Sequence, residues 1–229
     1  MKHTRILILM VLALLWTHGS YGQYLNKQLW GSVSLAAGAQ QWSADAAIFK
    51  MHPLFGTSWL EAGYGLRATF FSGKERYFET ADASLRQDAA NIDSLYIESA
   101  SVGALNAFVL IEARPLEKWR VGFNIDLGGF SVGGRRNAAY RAQGSNQTVP
   151  VSASPTAFNI LLVGDRDIGT LNSNFYVTYD IAGQWRLRAA YQYLFVEYTT
   201  EAPLRNDNDR FRYKASMVSV AVIKRLSKN

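Results

Sequence analysis

Six charged residues are spaced so that antiparallel pairing would bring opposite signs together. Asp180 and Arg186 flank Ala182-Gly183-Gln184, Glu112 and Arg120 flank the turn at Arg114–Lys118, and Lys50 and Glu61 flank His52–Ser58. A three-residue connection with a central glycine suits a short hairpin. It sets Ile181 opposite Trp185 and Asp180 opposite Arg186. The same reading sets Glu112 opposite Arg120 and Asn106 opposite Asp126. Carboxylates can serve as general acids and bases. One held beside a guanidinium has its pKa lowered, which suits structure better than proton transfer. The three pairs therefore predict structural ion pairs rather than a catalytic dyad.

Other chemistry is thinly represented. The three histidines are His3, His18 and His52, and only His52 lies beyond residue 22, where a leader segment is read below to end. A serine nucleophile with a histidine base would have to be built on that one ring, in a short turn beside Pro53. There is no cysteine, and no acidic cluster has dense ligand spacing, so neither a metal nor another cofactor is expected. Asn206-Asp207-Asn208-Asp209 and Gly164-Asp165-Arg166-Asp167 are oxygen-rich but read more simply as turns. Arg135, Arg136 and Arg141 form a basic cluster of a type that suits phosphate, although a solvated loop is the plainer reading.

Eight segments alternate with the period of a strand: 29–38, 42–51, 59–72, 101–113, 119–132, 174–181, 185–198 and 211–225. In the third, Leu60, Ala62, Tyr64, Leu66, Ala68 and Phe70 oppose Glu61, Gly63, Gly65, Arg67 and Thr69. In the fifth, Trp119, Val121, Phe123, Ile125 and Leu127 oppose Arg120, Gly122, Asn124, Asp126 and Gly128. In the last, Phe211 and Tyr213 differ in parity from Val218, Val220 and Val222, which predicts a bulge near Ala215–Met217. Connectors after the second, fourth and sixth segments are short, whereas 73–100 and 133–173 are long. All five prolines fall in connectors, as a fully laddered sheet requires. Ser84–Leu95 could form a short helix or extend its flanking strands, and Ala157–Val163 is unusually apolar for a loop.

Lys2 and Arg5 precede an apolar run from Ile6 to Trp16, with small residues at Ser20 and Gly22. The run is too short for a spanning helix of about 20 residues. Residues 1–22 therefore read as a cleaved secretory signal peptide, leaving one domain over 23–229. Losing Lys2 and Arg5 takes the formal charge from +6 to +4. An exported chain argues against nucleic acid as a partner despite its basic balance, and the absence of cysteine excludes a disulfide framework.

Short turns at one end and long loops at the other are the pattern of an up-and-down barrel in an outer membrane. Trp59, Trp119 and Trp185 open strands that follow short turns, and Trp30 opens the first. Together they predict an aromatic girdle at the periplasmic interface. Phe70, Phe71, Phe195 and Tyr198 lie at opposite strand ends and predict the second girdle. The polar faces then line a lumen just wide enough for side chains, plugged by cross-strand ion pairs.

In its signal peptide, eight alternating segments and strand-opening tryptophans the chain resembles the small eight-stranded outer membrane β-barrels of the OmpA and OmpX type. The likeness spans the mature chain and is architectural. It departs at the end, where Lys224-Arg225-Leu226-Ser227-Lys228-Asn229 lacks the terminal aromatic residue common in such barrels. The resemblance implies an all-β, eight-stranded antiparallel transmembrane barrel in the cell outer membrane, surrounded by its lipid. It also implies insertion by the barrel assembly machinery with periplasmic chaperones. The expected role is non-enzymatic: loops presented for structure, adhesion or assembly, with Arg135, Arg136 and Arg141 as a candidate lipopolysaccharide contact. A lipid-modifying enzyme, a subunit of a larger envelope complex and a soluble lipocalin-like carrier are the alternatives.

Overall fold

In the computed structural model, the described residues are 28–227. The signal peptide reading, and the start of the domain at residue 23, lie outside them. Among the described residues eleven strands form one antiparallel sheet. They are β1 (Gln28–Gly38), β2 (Gln41–Pro53), β3 (Leu60–Thr80), β4 (Ser94–Leu116), β5 (Trp119–Val132), β6 (Arg136–Arg141), β7 (Val149–Pro155), β8 (Phe158–Ile160), β9 (Leu171–Ala182), β10 (Trp185–Thr200) and β11 (Arg210–Arg225). The expectation of eight strands is thus corrected to eleven, of which eight close a ring.

Two tiers share the long strands. In the lower tier each of β1, β2, β3, β4, β5, β9, β10 and β11 pairs with the next, and β11 returns to β1 from Trp30↔Arg225 to Ala37↔Val218. The β1–β2 hairpin turns early, at Ala39–Gln40. Above it β3 pairs with β11 directly, at Thr80↔Phe211 and Glu79↔Arg212. On the far side β6 and β7 stand above β5 and β9: Leu95 pairs with Tyr140, Ala138 with Val151, and Ser154 with Thr199. The upper tier is therefore a second closed ring, built from β3, β4, β6, β7, β10 and β11.

The two tiers have opposite polarity. In the lower tier Val33, Leu35, Leu66, Leu105, Val121, Val177, Leu187, Val218 and Val220 are exposed, while Glu61, Arg67, Glu112, Arg120, Asp126 and Gln192 are buried. In the upper tier Phe71, Phe78, Leu95, Ile97, Leu194, Val196, Tyr198 and Phe211 pack inside as a hydrophobic core. On β10 parity never changes: even-numbered residues face inward throughout, polar at Arg186 and Gln192 and apolar from Leu194 to Tyr198. On β11 odd-numbered residues face inward along its whole length and register with β10 is continuous. The bulge expected near Ala215–Met217 is absent, because Phe211 and Tyr213 belong to an inner apolar core rather than to the outer face. On β3 and β4 the inward parity does switch, at Glu75 (φ 55°) and across the adjacent exposed pair Glu98 and Ser99.

Polar ties cross the top. Asp93 accepts from the Tyr140 hydroxyl at 2.6 Å and the Gln143 N–H at 2.8 Å, and Asn208 Nδ2 donates to Thr80 Oγ1 at 3.1 Å. Burial, reinforced by the Asp93 carboxylate, pushes the Tyr140 hydroxyl pKa well above its usual range. The helix weighed for Ser84–Leu95 is replaced by two 3-10 turns, Leu85–Gln87 and Ala89–Asn91, before β4 begins.

If the tiers carry separate cores, truncating one should loosen that one alone. Phe78→Ala is expected to cost about 3–5 kcal/mol. Hydrogen exchange should show lost protection in upper-tier amides with lower-tier amides retained; uniform loss would contradict two cores.

Candidate functional site

Lower-tier inward positions carry the densest chemistry. Glu61 on β3 stands directly opposite Glu112 on β4. Like charges so placed repel. Arg120 resolves this from β5: its Nη1 lies 2.7 Å from Glu61 and 3.2 Å from Glu112, and its Nε lies 3.1 Å from Asp180. Arg186 adds a contact to Asp180 at 2.9 Å and to Glu112 at 3.6 Å, and Arg188 reaches Glu112 at 3.5 Å. Three carboxylates and three guanidiniums thus neutralise one another at the end near the short turns.

Asp180 and Arg186 are register partners. Other expected geometry is corrected. A register shift beside Trp185 sets it opposite Ala182 rather than Ile181. Glu112 pairs with Gly122 rather than Arg120, since the register shifts at the β4–β5 turn, yet the long arginine spans the offset. Asn106 pairs with Gly129 but still donates to Asp126 Oδ2 at 2.8 Å. Lys50 does not meet Glu61: it lies opposite Tyr64 on the outer face, while Glu61 lies opposite Pro53 and faces in.

A second node, which pair-spacing alone missed, sits higher in the lumen. Arg67 donates through Nε to Asp126 at 3.0 Å, through Nη1 to Asn124 at 2.8 Å and through Nη2 to the Asn172 carbonyl at 2.9 Å. The signal available was the shared inward parity of Arg67 and Asp126; what was missing was that they are not neighbours but reach across the ring from β3 to β5. Beyond it Asp45 accepts from Ser34 at 2.8 Å, Thr69 at 2.6 Å and Asn172 at 3.2 Å.

One side of the lumen is apolar: Trp30, Phe49, Met51, Phe108, Leu110 and Ile223 cluster on β1, β2, β4 and β11. Gly65 makes room for this cluster, because a Cβ there would collide with Phe49. Two guanidiniums join the halves, Arg186 at 3.7 Å from the Trp30 ring centre and Arg67 at 4.9 Å from that of Phe108. Trp30 is therefore not a girdle residue. It has the inward parity of Ser32 and Ser34 and is only 4% exposed.

On the outer face Trp119 and Trp185 are exposed at the short-turn end, Trp59 is exposed in the turn before β3, and Phe70 is exposed at the other end, 5.4 Å from Trp42. Between them the outward side chains of all eight lower-tier strands are mostly apolar. Tyr198 is corrected: it is fully buried in the upper core, where its hydroxyl donates to the Ser101 carbonyl at 2.9 Å. Phe71 is likewise inside, and Phe195 is half-buried.

The basic cluster does not converge. Arg135 pairs with Glu201, Arg136 donates to Ser101 Oγ at 2.5 Å, and Arg141 is exposed. His52 stacks on Tyr64, ring centres 5.8 Å apart. Among the described residues no group of three or more histidine, cysteine or acidic side chains is placed to hold a metal ion.

No family model matches the chain, and no curated protein matches it. Solved structures similar to it are outer membrane β-barrel proteins. A major outer membrane protein from Thermus thermophilus has 11% identity and a TM-score of 0.40, covering 86% of this chain and 99% of that one. The Ralstonia pickettii toluene transporter TbuX has 9% identity and a TM-score of 0.26, covering 82% and 68%. The P. putida toluene transporter TodX has 8% identity and a TM-score of 0.22, covering 88% and 78%. At these scores the likenesses carry no argument about what this chain does, and none of the three supports the OmpA and OmpX type in particular.

Arg120 is expected to be the member whose loss matters most. Arg120→Gln leaves Glu61 facing Glu112 and should cost about 3–5 kcal/mol in denaturant unfolding. Adding Glu61→Gln should recover a substantial part, since Glu112 keeps Arg186 and Arg188. Purely additive losses would show that no such coupling exists.

Proposed function

We propose that this chain is an integral outer membrane protein whose lower tier spans the bilayer and whose upper tier projects as a closed dome on the outer side. The observation that carries this is the outward apolar belt bounded by Trp59, Trp119 and Trp185 at one rim. From Trp59 to Phe70, at about 3.3 Å per residue and a strand tilt of about 40°, the belt rises about 28 Å. That matches the roughly 25 Å lipid-facing band of outer membrane barrels. The short turns then face the periplasm and the long loops face outward. Membrane lipid is the chief partner, and insertion would use the barrel assembly machinery and periplasmic chaperones.

The role we infer is structural or adhesive rather than catalytic or conducting. An axial route would have to pass two ionic nodes and then the hydrophobic core of the dome. Each lumen carboxylate with a guanidinium partner is held in place, and Asp45 accepts three neutral hydrogen bonds. A soluble lipocalin-like carrier needs the reverse polarity, with aromatics inside and charges outside, which fits neither the belt nor the nodes. The dome and its loops are the surface left to meet other molecules.

Membrane fractionation with gel mobility before and after boiling tests the placement, and planar-bilayer recording tests the closed lumen. The expected outcome is an envelope protein whose mobility changes on heating and which gives no steady conductance. A soluble chain, or stable open channels, would contradict the reading. Val220→Arg on the belt should also destabilise the barrel in vesicles by about 2–4 kcal/mol.

A further inference from the structure

Glu197 is anomalous. Its neighbours Val196 and Tyr198 face the dome core, so Glu197 points out through the wall of β10, yet it is 0% exposed. Two arginines of β11 hold it: Arg210 Nε at 2.8 Å and Arg212 Nη2 at 2.9 Å. What roofs the three charges is the strap 157–168. The Asp167 carbonyl accepts from Arg212 and, at 3.1 Å, from Arg210.

The strap is a built element. Phe158–Ile160 pair with Gly128–Phe130 of β5, Leu161 N–H donates to the Leu127 carbonyl at 2.9 Å, and Ile160 closes a bridge with Ile168. The Asp167 carboxylate accepts from the Leu162 N–H at 2.8 Å, fixing the tip. Its inner side is polar, with Asn159 buried against Ser131 and Asn106. Its outer side is not: Phe158 is 61% exposed, Leu162 51% and Val163 72%.

Two features indicate what covers that side. Phe158 packs against Phe130 with the rings tilted and their centres 5.7 Å apart, and Phe130 belongs to the belt, so the strap's apolar surface continues it. Val163 has φ of 70°, a left-handed conformation strongly disfavoured for a β-branched residue. In water such strain would present a bare isopropyl group with no return; against hydrocarbon, burial of that group offsets it. Beyond the tip come Asp165 and Lys214, 3.8 Å apart and both exposed.

We propose that the strap 157–168 docks into the outer-leaflet edge of the bilayer. Phe158, Ile160, Leu162 and Val163 lie among acyl chains, Asp165 and Lys214 lie at headgroup level, and the inner side shields the Glu197 node from lipid. The proposal rests on the membrane-spanning reading of the lower tier. It adds that this segment is a lipid-binding part of the wall rather than a free loop or a protein-docking loop.

The chain has no cysteine, so single-cysteine nitroxide labels are specific. Leu162→Cys and Val163→Cys are compared in vesicles with Val220→Cys on the belt and Arg141→Cys on the dome, each first checked for heat-modifiable mobility. Relaxation by oxygen and by a water-soluble nickel chelate is measured. The proposal expects labels at 162 and 163 to follow 220, with oxygen collisions severalfold favoured relative to 141. Labels that follow 141 while 220 remains lipid-exposed would overturn the strap alone. Labels immobilised and shielded from both reagents would overturn it in favour of a protein contact. A water-exposed label at 220 would overturn the membrane reading and the strap with it.

Discussion

A charge enclosed by a ring of eight strands costs several kcal/mol unless its counter-charge is within reach. The lower tier is organised around that condition. Because its outside is apolar, its polar side chains must turn inward, where most are removed from solvent. Arg120 is the pivot of one solution, drawing together carboxylates from β3, β4 and β9. Arg67 is the pivot of the other, tying β3 to β5 and β9. Ion pairs of this kind do not by themselves make a protein stable. They do specify register, since a slip of one residue would place every charge in the apolar belt.

The upper tier meets the opposite condition with the same strands. Above the belt the outside is polar, so the inside can be apolar. β10 and β11 change composition without changing parity, whereas β3 and β4 change parity through the irregularity at Glu75 and Glu98. The early turn of the β1–β2 hairpin makes this possible by freeing the edges of β3 and β11 to pair. Narrowing from eight strands to six gives a ring whose interior Phe78, Tyr198 and Phe211 can fill.

Much of the lower tier was legible because its alternation is strong and its turns are short. The segments read at 119–132 and 185–198 match β5 and β10 to within two residues. The upper tier was not legible, for three physical reasons. The parity break at Glu75 disguises the end of β3 as loop. Pro150 and Pro155 read as strand breakers, yet β7 tolerates them as a short strand. The pairings of β4 with β6 and of β7 with β10 skip neighbours that an up-and-down order would require. Within the site, height on a strand suggests a girdle place for Trp30 and Tyr198, and spacing across a turn suggests a partner for Lys50, when parity with Ser32, Arg186 and Ile48 places each on the correct face. Glu197, whose outward parity contradicts its burial, could not be understood from sequence because the strap that covers it is remote along the chain.

The central claim is that the lower tier is apolar outside because hydrocarbon surrounds it. Depth-dependent quenching by lipids brominated at successive acyl positions, read on single-tryptophan variants retaining Trp30, Trp59, Trp119 or Trp185, tests it most directly. The account predicts that Trp59, Trp119 and Trp185 are quenched most by bromines near the headgroups and that Trp30 is spared. Quenching of those three only by aqueous iodide, with no response to brominated lipid, would contradict it.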